Sequence, residues 1–182
     1  KNGGKGFMSL NIKWASGRRI LKELVQKADA LVENFRPGVM ARLDLDYETL
    51  REANPRLVYC AISGFGQDGP LAKLPAYDQI VQGMSGVMSI TGDGDTAPYR
   101  VGYPMGDTIG GMTAAFAVAA ALANKAEDRG TLIDVSMLEA GIATMGWVVS
   151  NHLIAGQAPI PNGNDNFTAS PSGTFKTADG VM

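Results

Sequence analysis

The stretch that decides the fold runs from Ala30 to Ser63, ALVENFRPGVMARLDLDYETLREANPRLVYCAIS. It begins with a short apolar segment, Ala30 to Val32, and ends with the apolar, partly β-branched run Arg56 to Ser63, which is typical of a buried strand. Between these segments, Asp46 is placed to cap a helix from Tyr47 to Ala53. Because a helix separates the two strands, the stretch predicts that they are parallel neighbours in one sheet.

The residues before this stretch continue the alternation of strand and helix. Phe7 to Ile12 alternates weakly between apolar and polar residues, which predicts a short strand. Ser16 suits an N-cap, and the amphipathic segment Arg18 to Ala28 predicts a helix. The order β-α-β-α-β predicts an α/β fold with a Rossmann-like, right-handed parallel sheet and flanking helices.

The residues after Ser63 predict a loop, three helices and one more strand. Gly64 to Pro75 is rich in glycine and proline and predicts a loop, and Tyr77 to Ile90 predicts a helix. Met105 to Ala126 is the longest helical segment and is apolar nearly all round, so we expect it to be deeply buried. Thr131 to Met137 then predicts a strand, and Leu138 to Ile154 an apolar helix.

A domain boundary is predicted close to the end of this last helix. The segment Gln157 to Ser172 is polar and contains several prolines and asparagines, as expected of a linker. We therefore expect residues 1–155 to form the α/β domain, and 156–182 to form a linker and the start of a smaller domain. The chain begins at Lys1 and ends on an apparent strand opening, so we expect a piece of a longer protein that lacks its first strand.

Composition excludes several classes of protein. The 182 residues are 45% hydrophobic with a net charge of -2, which favours a folded core and argues against duplex nucleic acid as a partner. The single cysteine and single histidine cannot form an internal disulfide or a histidine-rich metal site, which favours a reducing, cytoplasmic compartment. The most apolar run, Met112 to Leu122, falls short of the ~20 residues of a membrane span, so no membrane partner is expected.

The segment Gly64 to Gly69, GFGQDG, has the spacing of a dinucleotide-binding fingerprint and follows a predicted strand. In that fingerprint the third glycine opens a helix whose N-terminus faces the pyrophosphate. Here Pro70 and Pro75 follow instead, so a glycine-rich loop is the better interpretation.

Asp107 stands at the head of the long apolar helix, in the sequence MGDTIGGM from Met105 to Met112. An aspartate in this position is an N-cap in its simplest interpretation. Glycines at 106, 110 and 111 would leave space for a bulky ligand to reach the carboxylate, and the helix N-terminus would keep it ionised. An ionised carboxylate can also attack an acyl group as a nucleophile, so both interpretations stay open.

Asn34 and Phe35 lie where the first strand of the Ala30–Ser63 stretch should end, the edge at which open α/β sheets bind ligands. The nearby Arg36 and Arg42 could each hold a phosphate through paired N–H donors, and Phe35 could stack on an adenine. The alternative is a pair of solvated arginines around a helix start, and spacing alone does not decide between the two.

Five short motifs follow one another along the chain: Asn34–Gly38 (NFRPG), Asn54–Leu57 (NPRL), Ser63–Gly66 (SGFG), Pro75–Asp78 (PAYD) and Gly106–Asp107. Together they resemble the successive motifs of the class III CoA-transferases, the group that includes formyl-CoA transferase, carnitine CoA-transferase and α-methylacyl-CoA racemase. The resemblance covers essentially the whole chain. It implies a Rossmann-like CoA-binding domain, a smaller second domain and an interlocked homodimer.

The resemblance also implies a reaction, the transfer of CoA from an acyl-CoA to a free carboxylic acid. Asp107 would attack the thioester to form a mixed anhydride and would then carry CoA as an aspartyl thioester. Coenzyme A enters as a substrate, and no metal is implied. The matching positions that would hold CoA are Leu10, Asn11, Ile12, Lys13, Asn34, Phe35, Arg36, Arg42, Leu43, Pro75, Ala76, Tyr77 and Asp78.

Two alternatives remain at this point, a 2-methylacyl-CoA racemase and a non-catalytic CoA-binding protein. Racemases of this group use a histidine and an aspartate, but Tyr77 stands at the position that matches the histidine, and the chain's histidine is His152. A tyrosine with an ordinary pKa near 10 is a poor base at neutral pH, so CoA transfer is favoured. Cys60 lies inside the predicted central strand and is interpreted as a buried structural residue.

Overall fold

The computed structural model describes residues 3–124, 129–166 and 169–181. Strands β1 (Ala30–Glu33), β2 (Val58–Ser63) and β3 (Thr131–Ser136) form a parallel sheet with β2 in the centre. The predicted α/β fold with a parallel sheet and flanking helices is therefore confirmed.

Seven helices surround or follow the sheet in the described part of the chain. Their bounds are α1 (Ala15–Val25), α2 (Val39–Arg42), α3 (Tyr47–Ala53), α4 (Asp78–Ser85), α5 (Met105–Ala123), α6 (Met137–Thr144) and α7 (Gly146–Ala155). A 3₁₀ turn spans Val87–Ile90, and a small antiparallel hairpin pairs β4 (Lys176–Thr177) with β5 (Gly180–Val181).

Helices cover both faces of the sheet. Side chains alternate along β2, so its residues pack against helices on each face in turn. Tyr59 and Ala61 point to one face, where they join a core cluster with Leu45 and Leu50 beneath α1 and α3. Cys60 points to the other face and packs with residues of α5 and β3. The central strand is thus buried on both sides, as its continuous apolar run predicts.

One helix start lies where the sequence places it, whereas other helix ends differ from their predicted positions, and Ser16, predicted as an N-cap, lies inside α1. The Asp46 carboxylate accepts a hydrogen bond from the Thr49 backbone N–H at 3.3 Å and so caps α3 as predicted. Helix α4 is shorter than the predicted Tyr77–Ile90 helix, because Gly86 adopts a left-handed conformation (φ 88°) and ends it at Ser85. The apolar segment 138–154 forms two helices rather than one, with the break at Met145.

The predicted strand at Phe7–Ile12 is not formed. Phe7 is 79% exposed, and the chain instead turns at Asn11, whose carbonyl accepts a hydrogen bond from the Trp14 N–H at 3.3 Å. This turn crosses the first turn of α1 so closely that a side chain at Gly17 would collide with the Asn11 carbonyl. A weak alternation over six residues cannot form a strand without a neighbouring strand to supply hydrogen bonds.

The expectation that the long apolar helix is deeply buried is wrong for α5. Its buried residues are Met105, Gly106, Gly110 and Ala114, while Phe116 is 78% exposed. The small residues at 106, 110 and 114 form one buried stripe at four-residue spacing, which Val118 continues by packing against the cluster around Cys60. The predicted last residue of this helix, Ala126, lies outside the described residues.

Helix α5 also has a length and composition that the run Met112–Leu122 alone does not suggest. It is the one helix of the described residues that is long and apolar enough to cross a membrane, with a mean hydropathy of 1.3. Its contacts with β2, β3, α4 and α6 place it instead as a layer against the sheet. The sequence argument against a membrane span used only residues 112–122, whereas the helix that forms is the longer Met105–Ala123.

Candidate functional site

A cavity of about 620 Å³ opens at the carboxyl ends of β1 and β2 and collects most of the predicted site residues. This is the edge of a parallel sheet at which α/β proteins bind ligands. Eight of the predicted residues line the cavity: Asn34, Phe35, Arg36, Pro75, Ala76, Tyr77, Asp78 and Asp107. Residues separated by more than seventy positions in the sequence thus share one site.

The turn after β1 brings Asn34 to Arg36 to this edge. Strand β1 ends at Glu33, whose carboxylate accepts a hydrogen bond from the Phe35 N–H at 2.6 Å and so fixes the turn. Phe35 is 45% exposed and stands on the cavity wall. An accessible aromatic ring in this place can stack on a flat ligand group, as the sequence interpretation requires.

A second cavity, of about 720 Å³, adjoins the first and carries a group of basic side chains. Arg36, Pro37 and Ala72 line both cavities, so the two cavities share this wall. Arg36, Arg42 and Lys73 line the second cavity together. Within the described residues none of these three forms an ion pair, whereas Arg19 and Arg51 each pair with a glutamate on their own helix.

Lys73 is a site residue that the sequence analysis missed. It lies in the glycine- and proline-rich loop two residues before the Pro75–Asp78 motif. A basic residue in a loop that follows a central strand and precedes a site motif is the signal that could have found it. Three cations within one cavity suit a ligand that carries several phosphate groups.

Asp107 is the third residue of α5, and it is exposed to the cavity. Behind it, Asp78 is 8% exposed, and its carboxylate accepts a hydrogen bond from the Gly106 N–H at 2.8 Å and a longer one from the Asp107 N–H at 3.4 Å. The other carboxylate oxygen of Asp78 accepts from the Gln82 side-chain amide at 2.7 Å. Asp78 was predicted to hold CoA; in the structure one of its oxygens fixes the N-terminus of α5 and the other binds the Gln82 side chain of its own helix.

Two of the three glycines around Asp107 have a different role from the one expected. A Cβ at Gly106 would lie 2.9 Å from Val81, and one at Gly110 would lie 2.9 Å from Met137, so these glycines permit close helix packing. At Gly111 a Cβ would meet nothing within 4 Å, and this residue lines the cavity. Open space beside the carboxylate therefore comes from Gly111, whereas Gly106 and Gly110 bring helices together.

Five of the predicted binding residues do not line either cavity in the part of the chain that the structure describes. Ile12 and Leu43 pack against the core cluster beneath α1 and α3. Asn11 accepts a hydrogen bond from the Lys13 N–H at 3.0 Å within its own turn. The predicted residues that the structure does not bring to the cavities are Leu10, Asn11, Ile12, Lys13 and Leu43.

Burial controls the ionisation of three groups beneath this edge of the sheet. It raises the pKa of the Glu33 carboxyl and of the Tyr59 hydroxyl, and the neighbouring Glu33 charge raises that of Tyr59 further. Burial also raises the pKa of the Cys60 thiol, which has no exposed surface. A buried thiol that stays protonated is not a nucleophile, in agreement with the structural role predicted for Cys60.

No group of three or more histidine, cysteine, aspartate or glutamate side chains that could hold a metal ion occurs in the part of the chain that the structure describes. The cavity presents one accessible carboxylate, that of Asp107, beside the cavity that carries Arg36, Arg42 and Lys73.

Known proteins with similar sequences and structures are consistent with this arrangement. A succinate–glutarate CoA-transferase of Agrobacterium fabrum is 41% identical over all of this chain and 46% of its own length. An acetyl-CoA:oxalate CoA-transferase of Acetobacter aceti is 45% identical over 98% of this chain and 46% of its own length. A CaiB/BaiF family protein from Brucella suis superposes with a TM-score of 0.88 and 33% identity, over 96% of this chain and 46% of that one.

The chain spans about half the length of the curated relatives it matches. The model of one protein family, described as CoA-transferase family III, matches residues 1–182. On this match and on the named relatives, the chain belongs to CoA-transferase family III.

Proposed function

We propose that the protein containing this chain moves CoA from an acyl-CoA to a free carboxylic acid, with Asp107 as the nucleophile. The observation that carries the proposal is the space formed by two adjoining cavities, one lined by the exposed Asp107 carboxylate and the other by Arg42 and Lys73, with Arg36 lining both. A CoA thioester has its reactive carbon at one end and its phosphates at the other. The space offers a carboxylate and a group of cations in the corresponding places.

The reaction proceeds through the side-chain oxygen of Asp107. This oxygen attacks the thioester carbonyl, the carbon–sulfur bond breaks, and CoA leaves as a thiolate while a mixed anhydride forms. The thiolate then attacks the aspartyl carbonyl, which releases the donor acid and leaves an aspartyl thioester. The acceptor carboxylate attacks that thioester to form a second anhydride, and the returning thiolate takes the acceptor's acyl group and regenerates Asp107.

The other residues bind and orient the substrate. Arg36, Arg42 and Lys73 pair with the phosphate groups, and the Phe35 ring stacks on the adenine. Asp78 fixes the α5 N-terminus, and through it the position of Asp107. The reaction attacks first the thioester carbonyl and then the carbonyl of Asp107 itself, so the side chain must be held in place. A displacement of about 1 Å can lower the rate about a hundredfold.

We propose a short dicarboxylic acid as the acceptor. The names of the two similar transferases specify succinate and glutarate in one case and oxalate in the other. A screen of the intact protein with acetyl-CoA or succinyl-CoA as donor and succinate, glutarate or oxalate as acceptor tests this proposal. New acyl-CoA is detected by mass spectrometry, with a monocarboxylate such as butyrate as the comparison acceptor.

The nucleophile is tested with Asp107→Ala and with Asp95→Ala, an exposed loop aspartate outside both cavities, as the matched control. We expect Asp107→Ala to abolish transfer while CoA affinity stays within about tenfold, or about 1.4 kcal/mol. Incubation of the unaltered protein with acyl-CoA should leave a CoA adduct on Asp107. Undiminished turnover in Asp107→Ala, or no adduct with any donor, would contradict the assignment.

The same protein preparation separates the alternatives. Exchange of the α-proton of a 2-methylacyl-CoA in deuterated water, with no acceptor acid present, would indicate racemase chemistry. CoA binding without either transfer or exchange would indicate a binding protein. Transfer without exchange is the expected result, since Tyr77, which lines the same cavity as Asp107, stands at the position that matches the racemase histidine and is a poor base at neutral pH.

We further propose that the whole protein is a cytoplasmic, interlocked homodimer, with residues 1–155 as its Rossmann-like CoA-binding domain and a smaller domain beginning after residue 155. The exposed apolar side chains of α5, Met112 at 64% and Phe116 at 78%, support a further protein surface packed against this helix. Neither nucleic acid nor membrane is part of the proposal. Sedimentation of the intact protein tests it, with a dimer mass as the expected result.

A further inference from the structure

Ser63 carries a buried polar atom that the fold does not use. It is the last residue of the central strand β2 and is 8% exposed. Its hydroxyl oxygen is inaccessible to solvent and has no hydrogen-bond partner among the described residues. Native proteins pair more than about 90% of their buried polar groups, so a serine at this place calls for a partner that arrives from outside the chain.

Ser136 shows that the position itself does not explain the unpaired hydroxyl. It pairs with Ser63 in the register of β2 and β3, ends its own strand and is 6% exposed. Its hydroxyl, however, accepts a hydrogen bond from the Glu139 N–H at 3.2 Å and caps α6. Two serines at equivalent places on neighbouring strands thus differ in one respect: the hydroxyl of Ser136 has a structural task and that of Ser63 has none.

The location of Ser63 identifies the partner. Ser63 lines the 620 Å³ cavity together with Asp107 and Arg36, at the carboxyl end of the central strand. A serine hydroxyl reaches a new direction by rotation about one side-chain bond, and it donates one hydrogen bond. The part of an acyl-CoA between its phosphates and its reacting carbon presents carbonyl oxygens, those of the pantetheine amides and of the thioester.

We propose that the Ser63 hydroxyl donates a hydrogen bond to a carbonyl oxygen of the acyl-CoA arm, the pantetheine amide or the thioester. This inference rests on the proposed function, since it takes the cavity to be the acyl-CoA site. Ser63 is then a substrate-binding residue, and its unsatisfied hydroxyl in the free protein is satisfied when the substrate enters.

The test compares Ser63→Ala with Ser136→Ala in the intact protein. For Ser63→Ala we expect kcat/KM for transfer to fall about tenfold, which corresponds to about 1.4 kcal/mol, with the urea midpoint unchanged or raised. For Ser136→Ala we expect the reverse: a lower urea midpoint from the lost helix cap, and transfer within about twofold of the unaltered protein. A Ser63→Ala midpoint as low as that of Ser136→Ala would overturn the inference, because the hydroxyl would then have a structural partner.

Binding measurements identify the carbonyl. Calorimetric affinities for free CoA and for acetyl-CoA are compared in Asp107→Asn with and without Ser63→Ala, so that no turnover occurs. A tenfold loss with both ligands supports the amide carbonyl, a loss with acetyl-CoA alone supports the thioester carbonyl, and no loss with either overturns the inference. Failure of the proposed function is seen separately, as absence of the Asp107 adduct in protein with Ser63 intact.

Discussion

The buried carboxylate of Asp78 allows the link between helix capping and catalysis to be tested. Asp78 lies behind the nucleophile, and its two oxygens accept from the Gly106 N–H at 2.8 Å and from the Gln82 side-chain amide at 2.7 Å. Replacement by alanine leaves a buried N–H at Gly106 and frees the first turn of α5. We expect Asp78→Ala to lower both the free energy of unfolding and the rate of transfer, because Asp107 follows Gly106 directly.

The magnitude follows from the hydrogen bonds that are lost. Bonds to a charged group contribute roughly 1.5–3 kcal/mol each, and two neighbouring losses do not add fully, so Asp78→Ala should cost roughly 2–4 kcal/mol. In Asp78→Asn the side-chain oxygen still accepts from the Gly106 N–H, but the new NH2 group faces the NH2 group of Gln82, and two donors cannot pair. Gln82 cannot rotate to relieve this, since its oxygen accepts from the Val101 N–H at 2.9 Å, and we expect a cost of roughly 1–3 kcal/mol.

The assay is urea unfolding of each variant together with kcat for transfer under folding conditions. Asp46→Ala is the matched control, because Asp46 caps α3 through Thr49 and lines neither cavity. It should lose about 1 kcal/mol of stability and keep its kcat. Asp78→Ala should lose kcat about tenfold to a hundredfold while still folded. The reasoning is refuted if the two variants have the same kcat, or if Asp78→Ala is no less stable than Asp46→Ala.

Three further predictions concern packing, ligand charge and pH. Gly106→Ala should lower the free energy of unfolding by about 1–3 kcal/mol, because the added methyl group meets Val81. Gly111→Ala should raise it by up to about 1 kcal/mol but lose transfer, because the methyl group enters the cavity. Urea unfolding and turnover of each variant measure these effects. Arg42→Ala should raise KM for acyl-CoA about tenfold or more, while Arg19→Ala, whose arginine pairs with a glutamate on α1, should not. Burial raises the folded-state pKa of Glu33, so its ionisation destabilises the fold. The stability advantage of Glu33→Gln over the unaltered protein should therefore be absent below about pH 4.5 and grow as pH rises through the folded-state pKa; a gap that stays constant from pH 4 to 8 would contradict this.

The sequence alone predicted the parallel α/β fold, because the strands and helices of that fold are each marked by a clear pattern within a few residues. The apolar run of β2 and the Asp46 cap are both contained within a few residues, and both are found as expected. The sequence also indicated which residues come together at one edge of the sheet, because parallel strands all end there. Asn34, Phe35 and Arg36 follow a strand end, and this places them at the cavity without further information.

Tertiary structure decided which residues share a wall and which polar groups are satisfied. Lys73 joins Arg36 and Arg42 only through the path of the loop after β2, and the pairing of Asp78 with Gly106 spans 28 positions of the chain. Hydrophobicity could not predict that α5 leaves Phe116 exposed, because burial depends on what packs against a helix and not on its composition. For the same reason, only the folded chain shows that Ser63 and Ser136, alike in sequence character, differ in whether a partner is within reach.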